Sequence, residues 1–315
     1  MKKCQVLIAL LCALGAVAHA APPAMKWSDS GIAGPRYATL LEEMQQWQAR
    51  FPNMATVIDY GKSVKGRPLR LVLVMKKGTF SERPTLIMSG STHGDEYLHI
   101  EDRLPERLLT QGKTPGDVRE FLDNGGAIVF IPILNPDGFD ARSRLNANGV
   151  DLNRDWDLKP AGFKGFTQPE TRNLQAMLET LRFTHHLKYA ISVDYHCCAG
   201  ALLYPWAYSS THLPPKDLAR HEKVAGIASR ILGIETGVTA DVLGYNPVGT
   251  TKDYYYSHFN ALSYTYEGRK GVEDSYFDKH VAWWDAMIQF VEQGTMRPFL
   301  SFAGKKHQPL FHFAD

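Results

Sequence analysis

The amino-acid sequence predicts an α/β protein: a three-layer α/β/α sandwich around a mixed, largely parallel twisted sheet. Segments of strand composition alternate with segments of helical period through most of the 315 residues. One of them, Ala127-Ile128-Val129-Phe130-Ile131, is apolar throughout, which suits a strand covered on both faces. No repeat, low-complexity linker or break in composition divides the chain, so residues 35–295 read as one domain.

Residues 1–20 read as an export signal. Lys2-Lys3 precede an apolar run over 6–14, and Ala18-His19-Ala20 offers a small-x-small cleavage site. The run is shorter than the roughly 20 apolar residues of a spanning helix, and no later segment supplies one. The expected mature chain begins near Ala21, with a short leader over 21–34, and works in the periplasm or as a secreted protein.

Helix 37–50 carries Leu40, Leu41, Met44 and Trp47 at helical spacing and stops at Phe51-Pro52. Strands 56–60 and 70–75 follow, joined through the turn-forming Gly61-Lys62-Ser63-Val64-Lys65-Gly66-Arg67. Residues 83–88 form the central strand, which delivers the tight turn Ser89-Gly90-Ser91-Thr92-His93-Gly94-Asp95-Glu96. A helix is expected over 96–109, with Pro105 either kinking it or marking its start. Strand 127–131 ends in the turn Asn135-Pro136-Asp137-Gly138, and a polar loop leads to Trp156. Helix 169–183 has Thr167 as its expected cap. Strand 189–194 ends at His196, and helix 216–232 closes at Gly233. Strand 261–266 ends at Glu267, and helix 276–292 closes at Gly294, leaving 296–315 as a tail.

A formal charge of +2 with no run of Lys or Arg gives no case for nucleic acid. Cys4 and Cys12 fall in the signal, so only the adjacent Cys197-Cys198 remain, and two neighbours cannot staple a fold. Whether they are bonded is left open by the sequence, as is the oligomeric state.

Ligand sites in open α/β sheets form beyond the carboxyl ends of strands, where His93, Glu96, the Asn135 turn, His196 and Glu267 all fall. An imidazole and a carboxylate three residues apart can grip one Zn²⁺, with His196 as a third ligand and a place left for water. Most of the twelve histidines, including His99, His185, His186 and His280, read as ordinary core or surface residues. Asp151 can hold a ligand imidazole by accepting its second N–H. Glu267 is the candidate base, because bound Zn²⁺ lowers the pKa of its water towards about 7 and a nearby carboxylate can take the proton. Arg144 and Arg154 lie in an Asn-rich loop, where guanidinium groups can clamp a carboxylate or stabilise an oxyanion.

Together these segments resemble the zinc metallocarboxypeptidases of the pancreatic carboxypeptidase A/B superfamily, which includes bacterial murein-peptide amidases and DL-carboxypeptidases. The resemblance runs from Tyr37 to about Val291. It rests on Gly61-x-Ser63-x-x-Gly66-Arg67, His93-x-x-Glu96, Asn135-Pro136-Asp137-Gly138 and Gly149-Val150-Asp151-Leu152-Asn153-Arg154. His196 with Leu203-Tyr204-Pro205, and Tyr264-Thr265-Tyr266-Glu267, complete the set.

The resemblance implies that His93, Glu96 and His196 bind one Zn²⁺, that Asp151 orients His93, and that Glu267 is general base and then acid. It implies that Arg144 polarises the scissile carbonyl, with Arg142 its nearby rival for that role. Asn153 and Arg154 would hold the substrate's terminal carboxylate, and Tyr245 would cap the bound terminal residue. Lys252, seven residues beyond Tyr245, would read the terminal side chain and favour Glu, Asp or a carboxylate-bearing residue such as diaminopimelate, unless Asp253 neutralises it. Peptides or cell-wall stem peptides are the implied substrates; a zinc-dependent binding protein on the same fold is the alternative of another class.

Three departures stand out. Asp95 follows His93-Gly94 where some digestive relatives carry arginine. Cys197-Cys198 replace the polar residues usual after the third ligand. No long inhibitory segment fits between Ala21 and Tyr37, so autoinhibition of the digestive kind is not expected.

Overall fold

The computed structural model describes residues 25–26, 33–269 and 271–295. The expected signal over 1–20, most of the leader and the tail over 296–315 lie outside the described residues. Within the leader, β1 (Met25–Lys26) and β2 (Ala33–Gly34) pair antiparallel.

The main sheet has eight strands. In chain order the elements are α1 (Tyr37–Arg50), β3 (Ala55–Lys62), β4 (Pro68–Met75), β5 (Arg83–Gly90), α2 (Arg103–Gln111) and α3 (Asp117–Asp123). Next come β6 (Ala127–Ile131), α4 (Pro136–Ala141), α5 (Pro169–Thr184), β7 (Leu187–Cys197), β8 (Ala201–Tyr204) and α6 (Pro215–Leu232). The last are β9 (Glu235–Val238), α7 (Thr239–Leu243), α8 (Thr251–Phe259), β10 (Leu262–Gly268) and α9 (Phe277–Thr295). The strand order is β3-β4-β6-β5-β7-β10-β8-β9. The centre, β6-β5-β7-β10, is parallel, while β3, β4 and the β10–β8 step are antiparallel. The sheet is thus mixed, with its parallel part in the middle.

Every residue of β5 is buried, because helices cover both faces. On one face Leu86, Met88, Ile128 and Val193 pack with Met44, Leu104, Val224 and Trp284 from α1, α2, α6 and α9. On the other, Ile87, Val129 and Leu71 pack with Leu174 and Leu178 of α5 and Tyr255 of α8. Successive strand residues point to opposite faces, so a run apolar at every position feeds both layers.

Several local expectations are corrected. The helix expected over 96–109 starts at Arg103, where Asp102 accepts from the Arg103 N–H at 2.9 Å. Pro105 then sits in the first turn, where its missing N–H forfeits no helical bond. Gln168, not Thr167, occupies the cap position of α5, and the Thr167 hydroxyl donates to Asp155 Oδ1 at 2.6 Å. Gly233 does end α6 with φ of 67°, but α9 runs through Gly294. The short elements α3, α4, β8, β9, α7 and α8 were not anticipated. No helix among the described residues is long and apolar enough to cross a membrane.

Candidate metal centre and its cavity

The carboxyl ends of β5, β6, β7 and β10 meet at one end of the sheet. Beyond β5, the turn bearing His93 and Glu96 presses on the turn that starts α4. A Cβ on Gly94 would lie 2.0 Å from the Gly138 carbonyl carbon, and one on Gly138 would lie 2.7 Å from the Ser143 and Leu145 carbonyl oxygens. Only glycine fits at both places; at Gly94 this lets the two turns pack backbone against backbone. Asn135 caps this turn by accepting from the Gly138 N–H at 2.9 Å. Asp137 receives the Arg67 guanidinium at 2.6 Å and the Lys65 N–H at 2.9 Å. The Gly61–Arg67 signature is therefore a clamp on α4 rather than part of the centre.

Parallel pairing sets the other half. His196 on β7 lies directly beside Glu267 on β10 in the ladder. His93 Nδ1, His196 Nδ1 and Glu96 Oε2 converge. The two nitrogens are 3.0 Å apart, and each is 2.9 Å from the carboxylate oxygen. The far nitrogen of each ring faces a carboxylate: His93 Nε2 to Asp151 Oδ1 at 3.0 Å, and His196 Nε2 to Asp194 Oδ2 at 2.8 Å. Those contacts place the ring protons on Nε2 and leave both Nδ1 atoms as lone-pair donors. Three electron-rich atoms then face one another in a buried site, an arrangement that calls for a cation at their centre. The chemistry of this donor set, two imidazoles and a carboxylate, fits Zn²⁺.

Electrostatics agree. Burial pushes the Glu96 carboxyl up, but His93 and His196 outweigh it and hold the group well below the usual carboxylate range. Burial likewise disfavours charge on His196, yet Asp194 and Glu96 raise its pKa well above the usual value. Both shifts describe a site that stabilises positive charge. Glu267 behaves differently: burial raises its pKa, as suits a proton acceptor.

Arg144 reaches both sides of the centre, donating from Nη1 to Glu96 Oε1 at 3.0 Å and from Nε and Nη2 to Asp151 Oδ2 at 3.2 and 3.1 Å. Its side chain remains 42% exposed and lines the cavity. Arg142, the left-handed residue that ends α4, is exposed and is not among the cavity's lining residues. Asn153 and Arg154 lie on a single 3₁₀ turn, Leu152–Arg154, that Asp151 caps by accepting from the Asn153 N–H. Asn153 Oδ1 accepts from the Thr251 N–H at 3.0 Å, tying this turn to α8.

A cavity of about 260 Å³ opens from the centre and is lined by His93, Glu96, Glu267, Arg154, Tyr245 and Lys252 among others. Tyr245 stands half-exposed just beyond α7. Lys252, in the first turn of α8, is only 3% exposed. Asp253 does not pair with it closely; its carboxylate accepts the Ala207 and Tyr208 N–H groups at 2.9 to 3.1 Å. Cys197 and Cys198 bring their sulfurs together at the mouth of β7; Cys197 lines the cavity, and its N–H donates to Glu96 Oε2 at 3.2 Å.

Sequence reasoning missed Asp194. Its signal was its place two residues before His196, on the same face of one strand. Ser89 and Thr92 donate to it at 2.8 and 3.1 Å, so the carboxylate behind His196 is itself held.

A mixed α/β sheet with buried His-Glu-His donors beyond the ends of its central strands has the architecture of a protein that holds a metal ion there. More narrowly, the chain belongs to the zinc carboxypeptidase family, whose sequence model matches residues 40–297. Carboxypeptidase B of Helicoverpa zea is 26% identical over 259 residues, covering 69% of this chain and 58% of that protein. Metallocarboxypeptidase A of Trichophyton tonsurans is 27% identical over 224 residues, covering 62% and 53%. The chain thus spans little more than half the length of these curated relatives. Among solved structures, thrombin-activatable fibrinolysis inhibitor superposes with a TM-score of 0.72 at 18% identity, covering 83% of this chain and 75% of that one. Carboxypeptidase A from Helicoverpa armigera gives 0.67 at 21%, covering 83% and 74%. At these identities the likeness concerns the fold.

Proposed function

We propose that this protein is an exported zinc metallocarboxypeptidase whose domain over 35–295 hydrolyses the last peptide bond of its substrate. One ion is held by His93, Glu96 and His196. The convergence of their three lone-pair atoms beside Glu267 is the observation that carries this reading. When bound, Zn²⁺ supplies Lewis acidity that polarises a carbonyl and acidifies water.

The chain's own residues do the rest. Glu267 takes a proton from the attacking water and returns it to the leaving amine nitrogen. Asp151 keeps the His93 ring turned towards the ion, and Asp194 does the same for His196. Arg144 braces Glu96 and Asp151 and polarises the scissile carbonyl from the exposed side of its guanidinium. Asn153 and Arg154 receive the terminal carboxylate, and Tyr245 closes over the bound residue. Lys252 favours a terminal Glu, Asp or diaminopimelate, because a buried ammonium without a close carboxylate gains from an acidic partner. Cell-wall stem peptides ending in such residues belong to the same chemistry.

Glu267→Ala tests the reading. We expect kcat to fall by about 10² to 10⁴ while peptide binding and zinc content persist. A wild-type protein that captures peptides yet releases no terminal residue by mass spectrometry would instead be a binding protein on this fold. A mixed pool of peptides and purified wall tripeptides, read the same way, identifies the substrate.

A further inference from the structure

Glu101, just before α2, is wholly buried. Arg269 and His280 balance the buried charge of Glu273, but no cation among the described residues forms an ion pair with Glu101. Its carboxyl group collects backbone donors instead. The Leu98 N–H lies 3.1 Å from Oε2, and the Ile100 N–H donates to the same oxygen at 3.0 Å. Residues 97–100 belong to neither helix nor strand, so these N–H groups have no ladder to enter. His99 among them has a left-handed backbone with φ of 60°, a conformation that its surroundings must hold in place.

The segment so held touches three parts of the metal centre. It follows directly on Glu96. The Glu101 side chain lies against Gly90 at the end of β5, where an added Cβ would come 2.4 Å from Glu101 Cγ. Gly90 pairs in the ladder with Tyr195, the residue before His196. Leu98 lies against Gly268, the residue after Glu267, where an added Cβ would come 2.8 Å from Leu98 Cδ1. One carboxyl group thus fixes a stretch of irregular backbone wedged between the Glu96 turn and the strands that carry His196 and Glu267.

We infer that Glu101 is a positioning residue for the metal centre: through the Leu98 and Ile100 N–H groups it holds residues 97–100 and so sets where Glu96 stands relative to His196 and Glu267. This rests on the reading of that centre as a zinc site. It adds a group that lines no part of the cavity and acts only through backbone. Burial, with Asp102 beside it, pushes the Glu101 carboxyl up to about 8, although the bonds from Leu98 and Ile100 pull the other way. The other titratable groups that face it are the hydroxyls of Tyr97 and Tyr195. A neutral carboxyl still accepts from an N–H, so the hold needs an oxygen at the right reach rather than a charge, and a primary amide supplies one.

Zinc binding tests this without depending on turnover. Affinity is measured by chelator competition in the full chain and in three variants at Glu101. We expect Glu101→Gln to stay within about twofold of the wild type and Glu101→Leu to lose about 10- to 100-fold, the range for a group that orients metal ligands. Glu101→Asp withdraws the oxygens by one methylene while disturbing the core less. It should weaken zinc in the same direction, and it decides the matter if the leucine variant does not fold. At saturating zinc, the weakened variants should lose kcat with KM little changed, because the proposed substrate contacts are untouched. Unchanged zinc affinity in the aspartate and leucine variants, or a glutamine variant as weak as leucine, would overturn the inference. Release of terminal residues from peptides, followed in parallel, keeps the claims apart. Turnover by the wild type with zinc affinity unmoved by the variants leaves the hydrolase and sinks the role of Glu101; weakened zinc in the variants of a wild type that cuts nothing does the reverse.

Discussion

Tyr195 and His196 are neighbours on β7, as Tyr266 and Glu267 are on β10, and strand alternation sends the members of each pair to opposite faces. Behind the sheet, Trp284 donates to the Tyr195 hydroxyl at 2.9 Å, which faces His280 Nδ1 at 3.4 Å; His280 Nε2 donates to Glu273 Oε2 at 3.0 Å. Glu273 also accepts from the Tyr266 hydroxyl at 2.7 Å and from the N–H and Nε of Arg269 at 2.7 and 2.9 Å. The ring, indole and phenol donors of that network each end on an acceptor. In front, the same residue types do the opposite, and two imidazoles and a carboxylate turn lone pairs on one another. What separates a structural cluster from a metal centre here is the balance of donors against acceptors.

Removing the carboxylate at the back should have the largest effect on folding and none on the ion. Glu273→Gln breaks a fully buried charge from Arg269 and unsettles two further bonds, at a cost of about 3 kcal/mol in urea unfolding. Zinc affinity should stay within about twofold; a large loss of zinc would mean that the two faces are coupled. Acid gives the same contrast. Burial opposes charge on Glu273, but His280, Arg269 and Tyr266 outweigh it and pull its pKa down to about 2. A depressed carboxyl pKa contributes stability that is complete above the unfolded value, near 4.3, and is lost as pH falls through the folded one. Stability of the wild type should drop between about pH 5 and 2, and less steeply in Glu273→Gln. Equal acid sensitivity of the two proteins would contradict the assignment.

Changing the front should reverse the pattern. Asp194→Asn leaves His196 without a full charge behind it and should weaken zinc binding about 10- to 100-fold, measured by competition with a chromogenic chelator. Unchanged affinity would show that Asp194 only fills space. The smallest effect belongs to Tyr195→Phe, which removes one hydroxyl from the rear network. It should cost about 0.5 to 1.5 kcal/mol in unfolding and leave zinc binding as it was.

The front of the molecule was more legible in the sequence than the back. Each proposed ligand follows a strand of clear pattern, and short motifs around His93, Asn135 and Asp151 name the loops that meet. Gly94 packs directly on the backbone of Gly138, a contact visible only in three dimensions. Asp194 has only its spacing from His196 to mark it, two residues away on one strand face, and that spacing does not say which group the carboxylate will meet. His280 read as an ordinary buried histidine, which it is; its partner Glu273 is seven residues earlier and in another element. Short elements such as β8, β9 and α8 escaped because their period is too brief to read, and packing against the sheet decides them.

The pairing of His196 with Glu267 across one ladder has an evolutionary consequence. The backbone interval between the proposed ligand His196 and the proposed base Glu267 is set by the spacing of adjacent strands, roughly 4.8 Å, and loop variation cannot stretch it. Tyr245 and Lys252, by contrast, sit on the segment after α7 and in the first turn of α8, beside connections where insertions are cheap. On the proposed reading, chemistry is anchored in the sheet while taste is delegated to its margin, so descendants of this scaffold can acquire new diets without relearning how to cut.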